Sequence, residues 1–233
     1  MGQSILWRVA LADVLRGALA AVLDADATLV RGLNATARRS RPAAWLVGRL
    51  AAWLAGVEVV LMVALAVVGR RDSAARMLAA VGLVYVLSDA LGMLWSRRRP
   101  FARLAGVERL APHAAERSFP SRHIASGLAM AAVGGQAHPR LGTAMATVAW
   151  VLGLSRVAAG LHYPSDVLGG ALLGAAVGRL AQSAKRTRSP ASIVTRPSAA
   201  SWSTSSRRSP RSLSGSAWPA GSSRSRWMIR PRW

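Results

Sequence analysis

The stretch "GLSRVAAGLHYPSDVLGG" (Gly153–Gly170) places Arg156, His162 and Asp166 within eleven residues of an otherwise apolar segment. Two more polar clusters interrupt apolar sequence, "SRRRPF" (Ser96–Phe101) and "SFPSRH" (Ser118–His123). Together they supply Arg97, Arg99, Ser121, Arg122, His123, Arg156, His162 and Asp166. Arginine stays charged and matches phosphate oxygens with a planar fork. Asp166 is the sole acid among the three clusters, so no carboxylate set offers itself to Mg²⁺ or Zn²⁺. Two histidines without a metal suit one nucleophile and one general acid. Asp166, four residues after His162, is spaced to orient that imidazole and to stabilise its positive charge. The chemistry that fits is phosphoryl transfer through a phosphohistidine, with no metal and no cofactor.

Each residue also has an ordinary explanation. An acid at Asp166 suits a helix start, and Ser121 suits an N-cap. Arg97 to Arg99 read as interfacial anchors, and His162 as an interfacial histidine. What these explanations leave out is why the clusters fall on one face, which the elements around them decide.

The chain has 233 residues, 52% hydrophobic, and a net charge of +22. A basic excess fits nucleic acid, anionic lipid or acidic substrates. The apolar runs favour a membrane and give no reason to expect a nucleic-acid partner. "AAWLAGVEVVLMVALAVVG" (Ala51–Gly69) carries one charge, Glu58, in a run long enough to cross a hydrocarbon core of about 30 Å. Five spans are expected, near 44–69, 75–95, 121–135, 141–158 and 164–181, with Pro164 at a first helical turn. Small residues, as in "GGALLGAAVG", let the last helices approach closely. Residues 4–23 read as an amphipathic helix lying in the interface, followed by an Arg-rich loop with a short helical piece. The fold class is therefore all-α, a polytopic membrane helix bundle. Its divisions are residues 1–43 (N-terminal helix and loop), 44–183 (membrane-embedded core) and 184–233 (tail).

The tail holds 11 Lys/Arg and no acid, leaving 20 basic and 9 acidic residues in 1–183. Rich in Ser, Arg and Pro without apolar periodicity, it reads as disordered, either a polybasic lipid anchor or a spacer without a role. The sequence has no cysteine, so disulfides and thiolate metal sites are ruled out. Arg8, Asp13 and Arg16 break up the N-terminus, which makes a poor signal peptide. "NAT" (Asn34–Thr36) is a weak match to a glycosylation acceptor.

Spans alternate sides. The second span exits at Ser96, the third enters at Ser121, the fourth exits near Arg156 and the fifth enters by Asp166. All three clusters thus meet at one membrane face, and ionisable groups kept there usually line a site.

These residues resemble the type 2 phosphatidic acid phosphatase (PAP2) superfamily. "SRVAAGLHYPSD" fits its third signature, S-R-x5-H-x3-D. "PSRH" fits its second, P-S-x-H, and Arg99–Pro100 ends its first, K-x6-R-P. The lysine of the first would fall at Gly92, so none serves there, and Arg97 or His113 is the candidate to replace it. Arg122 stands where a small or acidic residue is commoner. The resemblance runs from about Ser88 to Gly178 and leans toward the branch of bacitracin-resistance-type undecaprenyl diphosphatases. It implies His162 as nucleophile, Asp166 on its other nitrogen and His123 as proton donor to the leaving oxygen. It also implies Arg99, Ser121 and Arg156 on the phosphoryl oxygens, and no metal.

Arg70, Arg71, Arg76, Arg140 and the tail cations mark the opposite face as cytoplasmic. The expectation is a multi-pass protein of a bacterial inner membrane with an extracytoplasmic site, removing phosphate from undecaprenyl diphosphate. Phosphatidate, phosphatidylglycerophosphate or another lipid phosphate remains open as substrate. So does a non-catalytic membrane protein that binds anionic lipid. Membrane lipids are the other expected partner.

Overall fold

The computed structural model describes residues 2–188; the expected disordered tail lies almost wholly outside the described residues. Seven helices and no strand occur among them: α1 (Gly2–Ala37), α2 (Arg41–Val67), α3 (Arg71–Leu94), α4 (Pro100–Arg103), α5 (Arg122–Ala137), α6 (Pro139–Ala158) and α7 (Pro164–Arg188). The five expected spans correspond to α2, α3, α5, α6 and α7. Among the described residues α2, α3 and α6 are long and apolar enough to cross a membrane. At 16 residues α5 is the short one, about 24 Å at 1.5 Å per residue.

Helix α5 is the centre of the bundle, packed against α3, α6 and α7. Its composition, mostly Ala, Gly and Ser, is what makes that position tenable. The other helices gain close backbone contact in place of large side-chain interdigitation. At Gly174 on α7 an added Cβ would stand 2.4 Å from the Ala125 carbonyl oxygen, and at Gly170 2.4 Å from that of Ser121. Large apolar side chains turn outward instead: Val60, Leu78, Met93 and Leu172 are exposed. This inside-out distribution suits a lipid-facing bundle.

Turns follow local chemistry. The Ser40 hydroxyl accepts from the Ala43 N–H at 3.3 Å and caps α2. His138 alone joins α5 to α6, the tight turn expected at "HPR". It is at the end of the bundle away from the polar clusters, as expected.

The N-terminal helix differs from expectation. It runs unbroken to Ala37 and does not give way to a loop near Asp24. Asp26, Val30, Asn34 and Ala37 recur at helical spacing, and all four are buried. Tertiary contacts hold this half helical. Asn34 donates to the carbonyls of Glu108 (2.9 Å) and Ala158 (2.8 Å) and accepts from the Glu108 N–H (3.0 Å). Its amide is thus committed to packing, which removes "NAT" as a glycosylation acceptor. Helix α7 also runs past the expected boundary at 183, because nothing between Ser183 and Arg188 breaks a helix.

Candidate active site

The loop from Trp95 to Ser121 closes over the end of the bundle where α3 ends and α5 and α7 begin. Backbone bonds fix it there. The Ser118 N–H donates to the Arg97 carbonyl (2.8 Å), and the Phe101 N–H donates to that of Gly160 (3.1 Å). The Ser121 N–H donates to the Asp166 carbonyl (3.0 Å). Gly160 makes the turn from α6 into the His162 segment at φ +73, and a Cβ there would meet the Glu108 carbonyl oxygen at 2.7 Å. Only glycine satisfies both demands.

The result is a polar cavity of about 120 Å³ lined by Tyr85, Arg99, His113, Arg117, Pro120, Arg122, His123 and His162. The His113 ring centroid is 6.5 Å from that of His123 and 6.4 Å from that of His162. Residues from three separate clusters and one loop thus share one small space.

His162 is buried, and both its ring nitrogens are engaged. Nδ1 is 2.8 Å from the Ser118 carbonyl oxygen, and Nε2 is 3.0 Å from Arg99 Nη1. A carbonyl only accepts and a guanidinium only donates. The proton is therefore on Nδ1, and the lone pair on Nε2 accepts from Arg99, itself a lining residue. Burial, then the charges of Arg156 and Arg99, push the pKa of His162 well below 6.5, so the ring is neutral. Burial and the same two arginines bring His113 down to about 4.

Asp166 departs from the expected arrangement. Its Oδ2 is 3.7 Å from His162 Nδ1, beyond hydrogen-bond reach. That oxygen accepts from the Tyr163 N–H at 2.8 Å, reaching back across the first turn of α7 as a capping residue does. The orienting bond to the imidazole comes from the Ser118 carbonyl instead, and Asp166 contributes its charge from one shell further out.

Arg97 is also placed differently from the phosphate-binding role foreseen for it. It is buried, outside the cavity lining, and spreads over two carboxylates. Nη2 donates to Asp26 at 2.9 Å, and Nη1 to Asp166 at 3.2 Å and Ser165 Oγ at 2.8 Å. Its guanidinium stacks 3.5 Å from the Tyr163 ring centroid. Asp26 also accepts from the Ser165 N–H (3.0 Å) and hydroxyl, so α1 is bolted to the first turn of α7.

Arg99 and Arg156 contrast with Arg97 in their partners, although Arg156, like Ser121, is also outside the cavity lining. Both arginines are buried, at 3% exposure each, and among the described residues neither has a carboxylate partner. Arg99 donates to the carbonyls of Leu161 (2.8 Å) and Arg117 (3.2 Å), and Arg156 to that of Ala51 (2.9 Å). Arg99 Nε and Arg156 Nε and Nη2 are buried without an acceptor. Burial lowers Arg99 to about 10, still cationic at neutral pH. The Ser121 hydroxyl is buried at the N-cap position of α5 yet makes no capping bond and has no partner. His113 Nδ1 is likewise buried and unpartnered.

Sequence reasoning missed Tyr85 and Arg117 in the lining, Ser118 as the acceptor for His162, and Asp26. Tyr85 lies one turn before Ser88 on α3, on the face turned toward the loop. Arg117 stands directly before the Ser118–His123 run and meets Arg99 across 18 residues, whereas Ser118 and Asp26 act across 44 and 71 residues and carry no local signal.

Residues 73–189, about half of the chain, match the PAP2 superfamily. The chain belongs to that family. Over 89 residues it is 37% identical to the bacitracin transport permease protein BcrC of Bacillus licheniformis, covering 38% of this chain and 44% of that one. Over 95 residues it is 33% identical to the undecaprenyl-diphosphatase BcrC of Bacillus subtilis, covering 41% and 49%. The match thus spans about half the length of these curated relatives. Among solved structures, LpxE of Aquifex aeolicus superposes with a TM-score of 0.58 at 27% identity, over 67% of this chain and 93% of that one. A PAP2-type phosphatidylglycerolphosphate phosphatase of Bacillus subtilis gives 0.59 at 20%, over 73% and 89%, a likeness of fold. The bacitracin-resistance branch read from the motifs agrees with the two sequence relatives, and the fold with the PAP2 membrane structures.

Proposed function

We propose that the protein is an integral-membrane lipid phosphatase that converts a polyprenyl diphosphate to the monophosphate through a phosphohistidine on His162. The observation that carries this reading is the pair Arg99 and Arg156, buried without a counter-ion around a neutral imidazole. An uncompensated buried charge costs several kcal/mol, so a site that keeps two is built for an anion. The relative named undecaprenyl-diphosphatase supports a diphosphate as that anion.

Nε2 of His162 attacks the terminal phosphorus. The P–N bond forms as the bond to the bridging oxygen breaks, and His123 gives that oxygen a proton. Arg99, Arg156 and the Ser121 hydroxyl hold the phosphoryl oxygens, where negative charge builds up. The positive charge developing on His162 is met by the Ser118 carbonyl at Nδ1–H and by Asp166. Water, losing a proton to His123, then cleaves the P–N bond and releases phosphate. His113 Nδ1 is the free donor or acceptor in the lining that takes over from the missing lysine. Arg97 is occupied elsewhere. The site faces outward from a bacterial inner membrane, where a used carrier diphosphate is exposed.

The test is phosphate release from detergent-solubilised undecaprenyl diphosphate, phosphatidate and phosphatidylglycerophosphate, each in EDTA. The diphosphate is the best substrate, and His162→Ala lowers its turnover by at least about 10,000-fold while the protein stays folded. Undiminished release from that variant, or loss of activity in EDTA, overturns the reading.

A further inference from the structure

The cavity holds more cations than one transferring phosphoryl group uses. Arg99 and His162 lie at its buried floor, whereas Arg117 is exposed and Arg122 half-buried at its rim. We propose that Arg117 and Arg122 form a second phosphate subsite, which grips the phosphate that stays on the lipid. This rests on the diphosphatase reading above and names the residues that make the site prefer a diphosphate.

Three observations support it. First, among the described residues the Arg117 guanidinium has no hydrogen bond or ion pair, although its backbone is firmly placed. Its carbonyl accepts from Arg99 Nη2 at 3.2 Å, and its φ is +50, a conformation that non-glycine residues rarely take. The outer arginine is thus fastened to the inner one. Second, its stem runs alongside Gly92. Gly92 stands where the first signature has lysine, and a Cβ there would lie 3.8 Å from Arg117 Cδ and 3.3 Å from the Phe119 carbonyl oxygen. A long side chain rising from position 92 would contend for the ground Arg117 covers. Third, Arg122 is held in readiness. Its Nη1 pairs with Asp89 at 3.2 Å, both side chains are partly exposed, and its guanidinium lies 5.2 Å from the Tyr85 ring centroid. A solvent-screened pair of this kind is weak and yields to a dianionic phosphate oxygen group.

A lipid monophosphate seated at His162 has nothing to offer these two rim cations. A diphosphate places its second phosphate one P–O–P bridge outward, in their direction. The test compares kcat/KM for prenyl diphosphate and prenyl monophosphate of equal chain length. In Arg117→Ala and in Arg122→Ala the diphosphate-to-monophosphate ratio falls about 10- to 100-fold, the worth of one or two charge-assisted bonds. If Arg117→Ala fails to fold, Arg117→Gln serves in its place. A second readout needs no lipid: inorganic pyrophosphate inhibits wild type more strongly than orthophosphate, and the double variant loses that preference. An unchanged substrate ratio, or equal inhibition of wild type by the two anions, overturns the subsite. A wild type inert toward every diphosphate lipid but still preferring pyrophosphate would sink the diphosphatase reading and leave the subsite standing.

Discussion

At the scale of single residues, His162, the proposed nucleophile, is kept neutral in a field of positive charge. Burial and the guanidiniums of Arg156 and Arg99 all disfavour the imidazolium. A depressed pKa means the nucleophilic form survives at pH values where a free histidine is already protonated. The acid limb of kcat/KM assigned to His162 therefore has its midpoint below 6.5. ¹³C-histidine NMR, with the resonance assigned through His162→Gln, follows the same titration; a midpoint at or above 6.5 contradicts the assignment. The same shift affects stability. The unfolded chain protonates its histidines near 6.5 while the folded protein resists, His113 down to about 4. Stability from these groups is complete above 6.5 and is lost as pH falls through that window. That His162, His123 and Arg99 share one cavity was legible in the sequence, because each belongs to a compact polar run at one end of the bundle. Their partners were not. That Nδ1 of His162 meets Ser118 and not Asp166 depends on how residue 118 packs against 162, and no spacing rule carries that.

At the scale of elements, α1 is the part the sequence described least well and the structure uses most directly. Between Ala10 and Leu23 its side chains are exposed or half-buried. Its second half carries Asp26 into a buried contact with Arg97, which in turn holds Asp166. Asp26, one of two aspartates in "DADATLV", gives no hint of this, because its partner is 71 residues away. Asp26→Ala removes one of the two carboxylates on a buried guanidinium and frees the start of α7 from α1. The expected cost is about 3–5 kcal/mol, the range for breaking a buried pair from one side. The variant should show a clearly lower Tm in detergent together with reduced kcat. The exposed pair of Arg16 with Asp13 on the same helix supplies the control. Asp13→Ala should shift stability by no more than about 0.5 kcal/mol. Equal shifts in the two variants would mean that α1 is not anchored through Asp26.

At the scale of the whole molecule, the site exists because alternating helices return distant clusters to one end of the bundle. That logic was readable before any coordinates: span lengths fix how many crossings separate 99, 123, 156 and 162, and an odd or even count fixes the end. The sidedness of that end is a separate matter, resting on cations. The opposite end carries Arg70, Arg71, Arg76 and Arg140, while at the site end Arg97, Arg99 and Arg156 are consumed by internal bonding. The orientation proposed above puts the Arg140 end in the cytoplasm and the cavity outside. The absence of cysteine from all 233 residues makes this unusually clean to test. Glu116 on the loop over the site and Arg140 at the start of α6 are both exposed. In intact cells a membrane-impermeant maleimide should label Glu116→Cys and spare Arg140→Cys until the membrane is permeabilised. The wild-type background is zero. The reverse pattern would turn the molecule over and put the phosphatase chemistry in the cytoplasm, where a carrier returning from outside could not reach it without first crossing the bilayer.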